Sequence, residues 1–478
     1  MNTHLIRQQI GPKYIMASDQ TPAILVARFL KANHYNKTLE AFLKETNLSE
    51  EVATTNTGDW TLEKLIAEKV QFDTSLKFER RDNEVSQGWT RPAPSISREP
   101  ELTINANVLC VAGHPDSDSL HISTANNTCL SVTSKTPYSV LSTRTFKADS
   151  PILSTTFLSG GLRTISTTMS GKLIIHDRQT GSLLAERRDH GKWAVHVATW
   201  MVPRAQHVLI ATAGWDQKVH IYNIHTQETE VGDALSLPPP FHTITLPSDP
   251  ESMVFVMNPD TNKLYLIVSR RDSSFLHYYR IEFEETSSSD AMSVTAAGRQ
   301  NLAPHSNAWV AFTPSALALH PSDPTLLAIA TSHLPHLKVI LVRLLFPDTP
   351  STHGFAEAPP PQTQAAMARA ELALQDREDA AITLQVSTLA PQTPYSTPQI
   401  AWRPDGSGVW VNGDDGVVRG VEAKTGKVVA LLRGHEAGSK VRTLWAGQVD
   451  NREILISGGF DRKCFVWEVA KEGLEAAG

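Results

Sequence analysis

The chain has 478 residues, of which 41% are hydrophobic, 20% charged and 7% aromatic, the balance of a folded globular protein. That balance excludes collagen, coiled-coil rods and membrane-embedded chains. Forty-four Lys and Arg against fifty Asp and Glu give a formal net charge of -6, so the protein lacks the positive field that drives counterion release, and direct nucleic-acid binding is not expected.

The opening stretch MNTHLIRQQIGPKYIMASDQ has no continuous apolar core, and the longest apolar runs, AILVARFL and VILVRLLF, each contain an arginine. These features predict neither a classical secretion signal nor a membrane span, which places the protein in the cytoplasm or nucleus. Cys110, Cys129 and Cys464 are widely spaced and odd in number. They read as reduced core thiols, not as disulfides or zinc ligands.

Pro22 suits the first turn of a helix, and Leu25, Val26, Phe29 and Leu30 recur at three- and four-residue spacing. A second stripe follows at Tyr35, Leu39, Phe42 and Leu43, and Asn33 and His34 between them tolerate the left-handed backbone that ends a helix. A helical hairpin over 19–50 is predicted. So small a hairpin cannot bury its own apolar stripe, which points to self-association. The stretch LVARFLKANHYNKTLEAFLKE closely resembles the LisH motif, with Leu25, Val26, Phe29, Leu30, Tyr35, Thr38, Phe42 and Glu45 on its pattern. His34 stands where the motif usually has glycine, and Leu39 where it usually has alanine. The resemblance implies a homodimer, with Leu25, Val26, Phe29, Leu30, Tyr35, Leu39 and Phe42 at its contact.

An amphipathic helix over 59–81, with Asp59 as cap and Leu62, Leu65, Ile66 and Val70 on one face, would extend or support the hairpin. Residues 82–100 hold three prolines among polar residues and read as a linker, in which Trp89 could anchor on another surface.

The rest of the chain repeats itself. SGKLIIHDRQTGSLLAERRDH and DGVVRGVEAKTGKVVALLRGH align without a gap, each a strand, a Thr-Gly turn, a strand and a closing histidine. His190 precedes Trp200 and Asp216 by the same intervals that separate His435 from Trp445 and Asp461. Short alternating strands follow both aspartates, as a twisted antiparallel sheet requires. These units resemble the WD40 repeat. Gly434, His435, Ser457, Asp461 and Trp467 fit one copy, and His190, Thr212 and Asp216 fit another, with Tyr222 in the tryptophan place. Inner-strand segments at ISTANNTCLSV, TISTTMSGKLIIH, ATAGWDQKVHIY, LIVSRRDSSFLHYY, AIATSHLPHLKVILV, WVNGDDGVVRGV and ISGGFDRKCFVW give seven blades over 101–470. The expected fold is therefore an all-β seven-bladed β-propeller with a small N-terminal α-helical dimerisation module. Residues around 95–104 are expected to supply the outer strand of the last blade, since closure removes exposed sheet edges. A Pro-rich and then helical insertion is expected at 346–380.

His190, Thr212 and Asp216, with His435, Ser457, Asp461 and Trp467, resemble the hydrogen-bonded tetrad of such repeats. A recurring Ser/Thr, His and Asp set is architecture sooner than a hydrolase triad. No phosphate loop, dinucleotide glycine pattern or nucleophile elbow appears, and His333 and His336 flank a proline without a further ligand nearby. No catalysis, cofactor, metal or small-molecule substrate is expected. The resemblance puts Asn126, Met169, Trp215, Arg271, Asp414 and Phe460 on the upper face, where Trp, Phe, Met and Arg suit an interface centre. The chain thus reads as a non-catalytic scaffold that homodimerises and binds partner proteins on the propeller face to assemble a complex. A subunit or substrate receptor of a ubiquitin ligase, or a chromatin-associated reader or corepressor subunit, is the alternative.

Overall fold

In the computed structural model, alternation of apolar and polar residues from Pro94 onward folds into seven antiparallel sheets of four strands each. The structure describes residues 22–55, 59, 61–66, 89–100, 103–114, 119–142, 145–158, 161–202, 207–225, 237–283, 292–304, 312–347, 363–449 and 451–470. The chain divides into two units, 1–78 and 79–478.

In the first unit, α1 (Pro22–Ala32) and α2 (Asn36–Thr46) form a hairpin, followed by a 3-10 turn at Glu50–Ala53. His34 takes the left-handed conformation at φ 59°, so the chain reverses there without the glycine usual in the motif. Ala27, Leu39 and Ala53 are buried together, with Leu30, Phe42 and Leu43 packed against them. Leu39, Leu30 and Phe42, expected at the dimer contact, thus serve the packing of the hairpin itself. The buried Arg28 pairs with Asp59 at 2.9 Å. Beyond Asp59 a helical turn is described at 62–66; the remainder of the helix expected over 59–81 lies outside the described residues.

In the second unit, blades one to seven begin with the strands Val108–Ala112, Ile152–Phe157, Ala194–Met201, Pro250–Met257, Pro314–Leu319, Ile400–Trp402 and Val441–Val449. Each of these inner strands neighbours the next, and the seventh neighbours the first, so they form a ring about a central channel. In every blade but the sixth, this strand has a bulge at its second residue. Side chains stitch successive inner strands together: Thr443 Oγ1 accepts from the Val111 amide at 3.1 Å, Ser154 Oγ from Val197 at 3.3 Å and Ser252 Oγ from Leu317 at 3.2 Å.

The core is a set of seams between neighbouring blades. Blades three and four share Leu209, Ile221, Phe255 and Leu266; blades six and seven share Trp410, Leu432, Leu455 and Trp467. The seam between blades one and two holds Cys129, Ile152 and Ile174, buried beside Phe146 and Ala148. All three cysteines are free thiols. Burial pushes Cys129 and Cys464 up to about 12, far from a reactive thiolate.

Blade seven is completed from the other end of the unit. Pro94–Arg98 pairs antiparallel with Cys464–Val469 and forms the outer strand beside Arg452–Gly459 and Val441–Val449. The linker reading of 82–100 therefore gives way from Trp89 onward, because this stretch has backbone donors and acceptors that the last blade needs. Trp89 packs edge-on against Trp410 at 5.1 Å and lies 4.7 Å from the Arg403 guanidinium. Glycine is required beneath it: a Cβ on Gly408 or Gly420 would stand 2.4 or 2.3 Å from the indole. Arg403 is 1% exposed and forks onto Glu453 at 2.9 and 2.7 Å, while also donating to Ser407 Oγ at 2.7 Å and to the Pro92 carbonyl at 2.5 Å. Thr90 Oγ1 donates to Glu422 at 2.7 Å.

The insertion expected at 346–380 lies between the third and fourth strands of blade five. Phe346 is buried against Tyr265 and Tyr278 and belongs to the core. Its helix, α3 (Gln364–Ala381), is held by Glu378, which accepts from the Asn301 amide at 2.7 Å. Among the described residues no helix is long and apolar enough to cross a membrane.

Removing Arg403 strands a partly buried Glu453 without its counter-charge, the costly way to break a buried pair. Arg403→Ala is expected to lose about 3–5 kcal/mol of propeller stability in denaturant unfolding. Arg403→Lys is expected to recover only part, because an ammonium cannot reproduce the fork.

Candidate upper-face interaction site

The turn between second and third strands emerges at the same end of every blade, here called the upper end. In blade three that turn carries Asp216, and the segment entering the blade carries His190. The carboxylate fixes the proton on the near ring nitrogen, so His190 Nδ1 donates to Asp216 Oδ1 at 2.9 Å and Thr212 Oγ1 donates to Nε2 at 2.8 Å. In blade seven, His435 Nδ1 donates to Asp461 Oδ2 at 2.9 Å and Ser457 Oγ donates to His435 Nε2 at 2.9 Å. Trp467 Nε1 donates to the same Ser457 oxygen at 2.9 Å. Tyr222, in the tryptophan place of blade three, instead donates to Asp189 at 3.0 Å.

Ser457, His435 and Asp461 have the connectivity of a hydrolase triad, yet Ser457 is fully buried and its oxygen is held by Trp467. No substrate carbonyl reaches it in this arrangement. His190, Asp216 and His220 bring ligand atoms within 4.8 Å of one another. Both nitrogens of His190 are already bonded, and His220 Nδ1 is bonded to Thr243 Oγ1 at 2.9 Å. His220 packs on the His190 ring at 4.5 Å as Phe465 packs on His435 at 4.8 Å. The repeat thus uses His220 as an aromatic support, and a metal would have to displace bonds already made.

Burial works to raise Asp216, but the His190 bond and the Gly191 amide outweigh it and hold the carboxyl at about 2. Asp461 is likewise lowered: burial opposes ionisation, and His435 with the Glu436 and Lys463 amides overcomes it.

The six residues expected on the upper face all lie in second-to-third strand turns. Trp215 stacks on Trp193 with ring centres 4.7 Å apart and planes 19° from parallel, and Arg271 lies 5.4 Å above Trp215. Arg271 in turn pairs with Glu251 at 2.6 Å. Phe460, 39% exposed, stands apart on blade seven. Asn126 is exposed but its side-chain oxygen accepts from Thr124 at 2.5 Å, and Met169 is half-buried. Asp414 is bound by Lys440 at 2.8 Å and Ser396 at 2.5 Å, so its charge is spent within the fold. Among the described residues, exposed apolar side chains at this end that sequence reasoning missed include Trp193, Leu334 and Tyr395, the last 88% exposed. Tyr395 lies between prolines in the segment joining blades five and six, and Trp193 lies three residues after a tetrad histidine, signals that could have exposed both.

Comparison with protein families gives a match to the model described as UCP007778, beta-propeller domain, over residues 81–468, and to UCP007778, LisH domain, over 23–49. The chain belongs to this family. A search of curated proteins found no match. Membership joins a LisH module to a seven-bladed propeller, two domain types that generally mediate protein interactions.

Asp461→Ala is expected to cost about 1–3 kcal/mol by leaving buried partners unsatisfied. Both tetrad aspartates are depressed in the folded state, so their stabilisation is complete above the ordinary value of 3.8 and is lost as pH falls through the folded values, for Asp216 about 2. Melting temperature measured between pH 5 and 2 should fall in the native protein, and less steeply in Asp461→Ala.

Proposed function

We propose that the protein is a non-catalytic scaffold that homodimerises through its LisH module and gathers partner proteins on the upper face of its propeller. The observation that carries this reading is the stack of exposed Trp193 on half-buried Trp215 with Arg271 above it, the residue types that anchor interfaces, at the upper end of the propeller. The dimer is supported by Leu25, Val26 and Phe29, half-buried and outside the hairpin's own cluster, and by Tyr35, 53% exposed and 6.4 Å from the Phe29 ring. An apolar stripe of this kind on so short a hairpin is best covered by a second copy. Two propellers on one dimer raise avidity through effective concentration, without any new contact.

Light scattering of the full chain should give a dimer, and Phe29→Asp a monomer whose propeller melts as before; a dimer mass in the variant would refute the seam. Trp215→Ala should weaken the principal protein partner roughly thirtyfold, the loss typical of one central anchor, with little change in melting temperature. Undiminished binding in titration calorimetry would remove the upper face from the reading.

A further inference from the structure

The bulged second residue of the inner strand recurs as Leu109, Leu153, Val195, Glu251, Ser315 and Arg442. Four are uncharged and two carry opposite charges, on blades four and seven. Those blades are separated by three or more blade steps either way round the ring, so Glu251 and Arg442 lie on opposite sides of it. The two charges are not equally served. Glu251 accepts from Arg271 Nε at 2.7 Å and pairs with its Nη2 at 2.6 Å. Arg442 is half-buried, and no hydrogen bond or ion pair reaches its guanidinium among the described residues.

Elsewhere in the propeller, partly buried arginines are met. Arg403 holds Glu453, and Arg419 holds Asp415 at 2.6 Å. Arg442 is half-buried on the inner strand of blade seven, where burial works against its charge and the Glu251 carboxylate supports it. A guanidinium offers five donors in a planar fork that fits a carboxylate at two points. A path of contacts leads from the aromatic face to the inner strands: Trp193 on Trp215, Trp215 under Arg271, and Arg271 on Glu251, which holds in the bulged inner strand of blade four the position that Arg442 holds in blade seven.

We infer that Arg442 receives an aspartate or glutamate side chain of a bound protein segment, inserted into the upper mouth of the channel while an apolar residue of the same segment lies on Trp193 and Trp215. This rests on the upper face being the binding surface, and adds the chemistry of what binds there. Charge complementarity selects the occupant: Glu251 and Asp249 are both paired to Arg271 on blade four, whereas the Arg442 guanidinium on blade seven has no hydrogen-bonding partner among the described residues, and a carboxylate meets its fork with two charge-assisted bonds.

The test is a random linear peptide library displayed on phage and selected on the full-length protein. Enriched peptides should share one acidic position at a fixed spacing from an aromatic or aliphatic residue. Synthetic versions should bind Arg442→Ala and Arg442→Met at least tenfold more weakly than the native protein, with both variants melting normally; methionine keeps the length of the side chain should alanine disturb the fold. Selection on Arg442→Glu should replace the acidic position by Lys or Arg. Peptides that lose affinity for Trp215→Ala but bind Arg442→Ala and Arg442→Met unchanged would overturn the channel site and leave the face standing. Peptides indifferent to Trp215 and Arg442 alike, or a library yielding no enrichment, would count against both.

Discussion

A circular array of sheets has no natural end, and the molecule depends on how its ring is shut. The strand Pro94–Arg98 precedes blade one in the chain but lies in blade seven, where it covers an edge that would otherwise offer unpaired backbone groups to other chains. Hydrogen bonds along one short strand are a modest anchor. Arg403 reinforces them by binding the Pro92 carbonyl and Glu453 of blade seven from a position in blade six, under the Trp89 indole. Three stretches of chain meet at one guanidinium, and its fork is why an arginine stands there.

Within the ring, burial of apolar side chains and satisfaction of polar ones are divided between different places. Apolar groups fill the seams between blades, while polar networks hold turns and entry segments to the upper end of single blades. Blades three and seven do this with histidine and aspartate. Blade six does it with Asp415 and Arg419, which reach the same end by a charge pair. The same mechanical requirement is therefore met in these blades by different residue types: a partly buried turn carboxylate must find a donor, and either side chain supplies one.

The fold was legible because its constraints are periodic. Spacing between His190 and Asp216 recurs between His435 and Asp461, and strand alternation continues through blades that lack the signature. The turn at His34 was legible for a different reason, since few residue types accept positive φ. What escaped was set by contacts between distant segments. Arg403 and Glu453 sit fifty positions apart, and nothing local marks them as a pair. Nothing in VRTLW marks Arg442, because its place at the bulge of an inner strand is fixed by closure of the ring. Asp414 lies in the turn where the repeat register puts it, and its ties to Lys440 and Ser396, from other segments, are not readable locally.

Closure by an early strand also governs the order of events during synthesis. The hairpin and Pro94–Arg98 leave the ribosome before blade one, while the partner strand Cys464–Val469 is made after the other strands of the ring. Throughout elongation the outer-strand segment therefore waits without its mate, and blades one to six must assemble against an open ring. The LisH hairpin is complete before any blade exists. Chaperone demand should then track the interval between the first and last strands of blade seven, making this protein sensitive to pauses late in translation in a way that an up-and-down sheet of equal length is not.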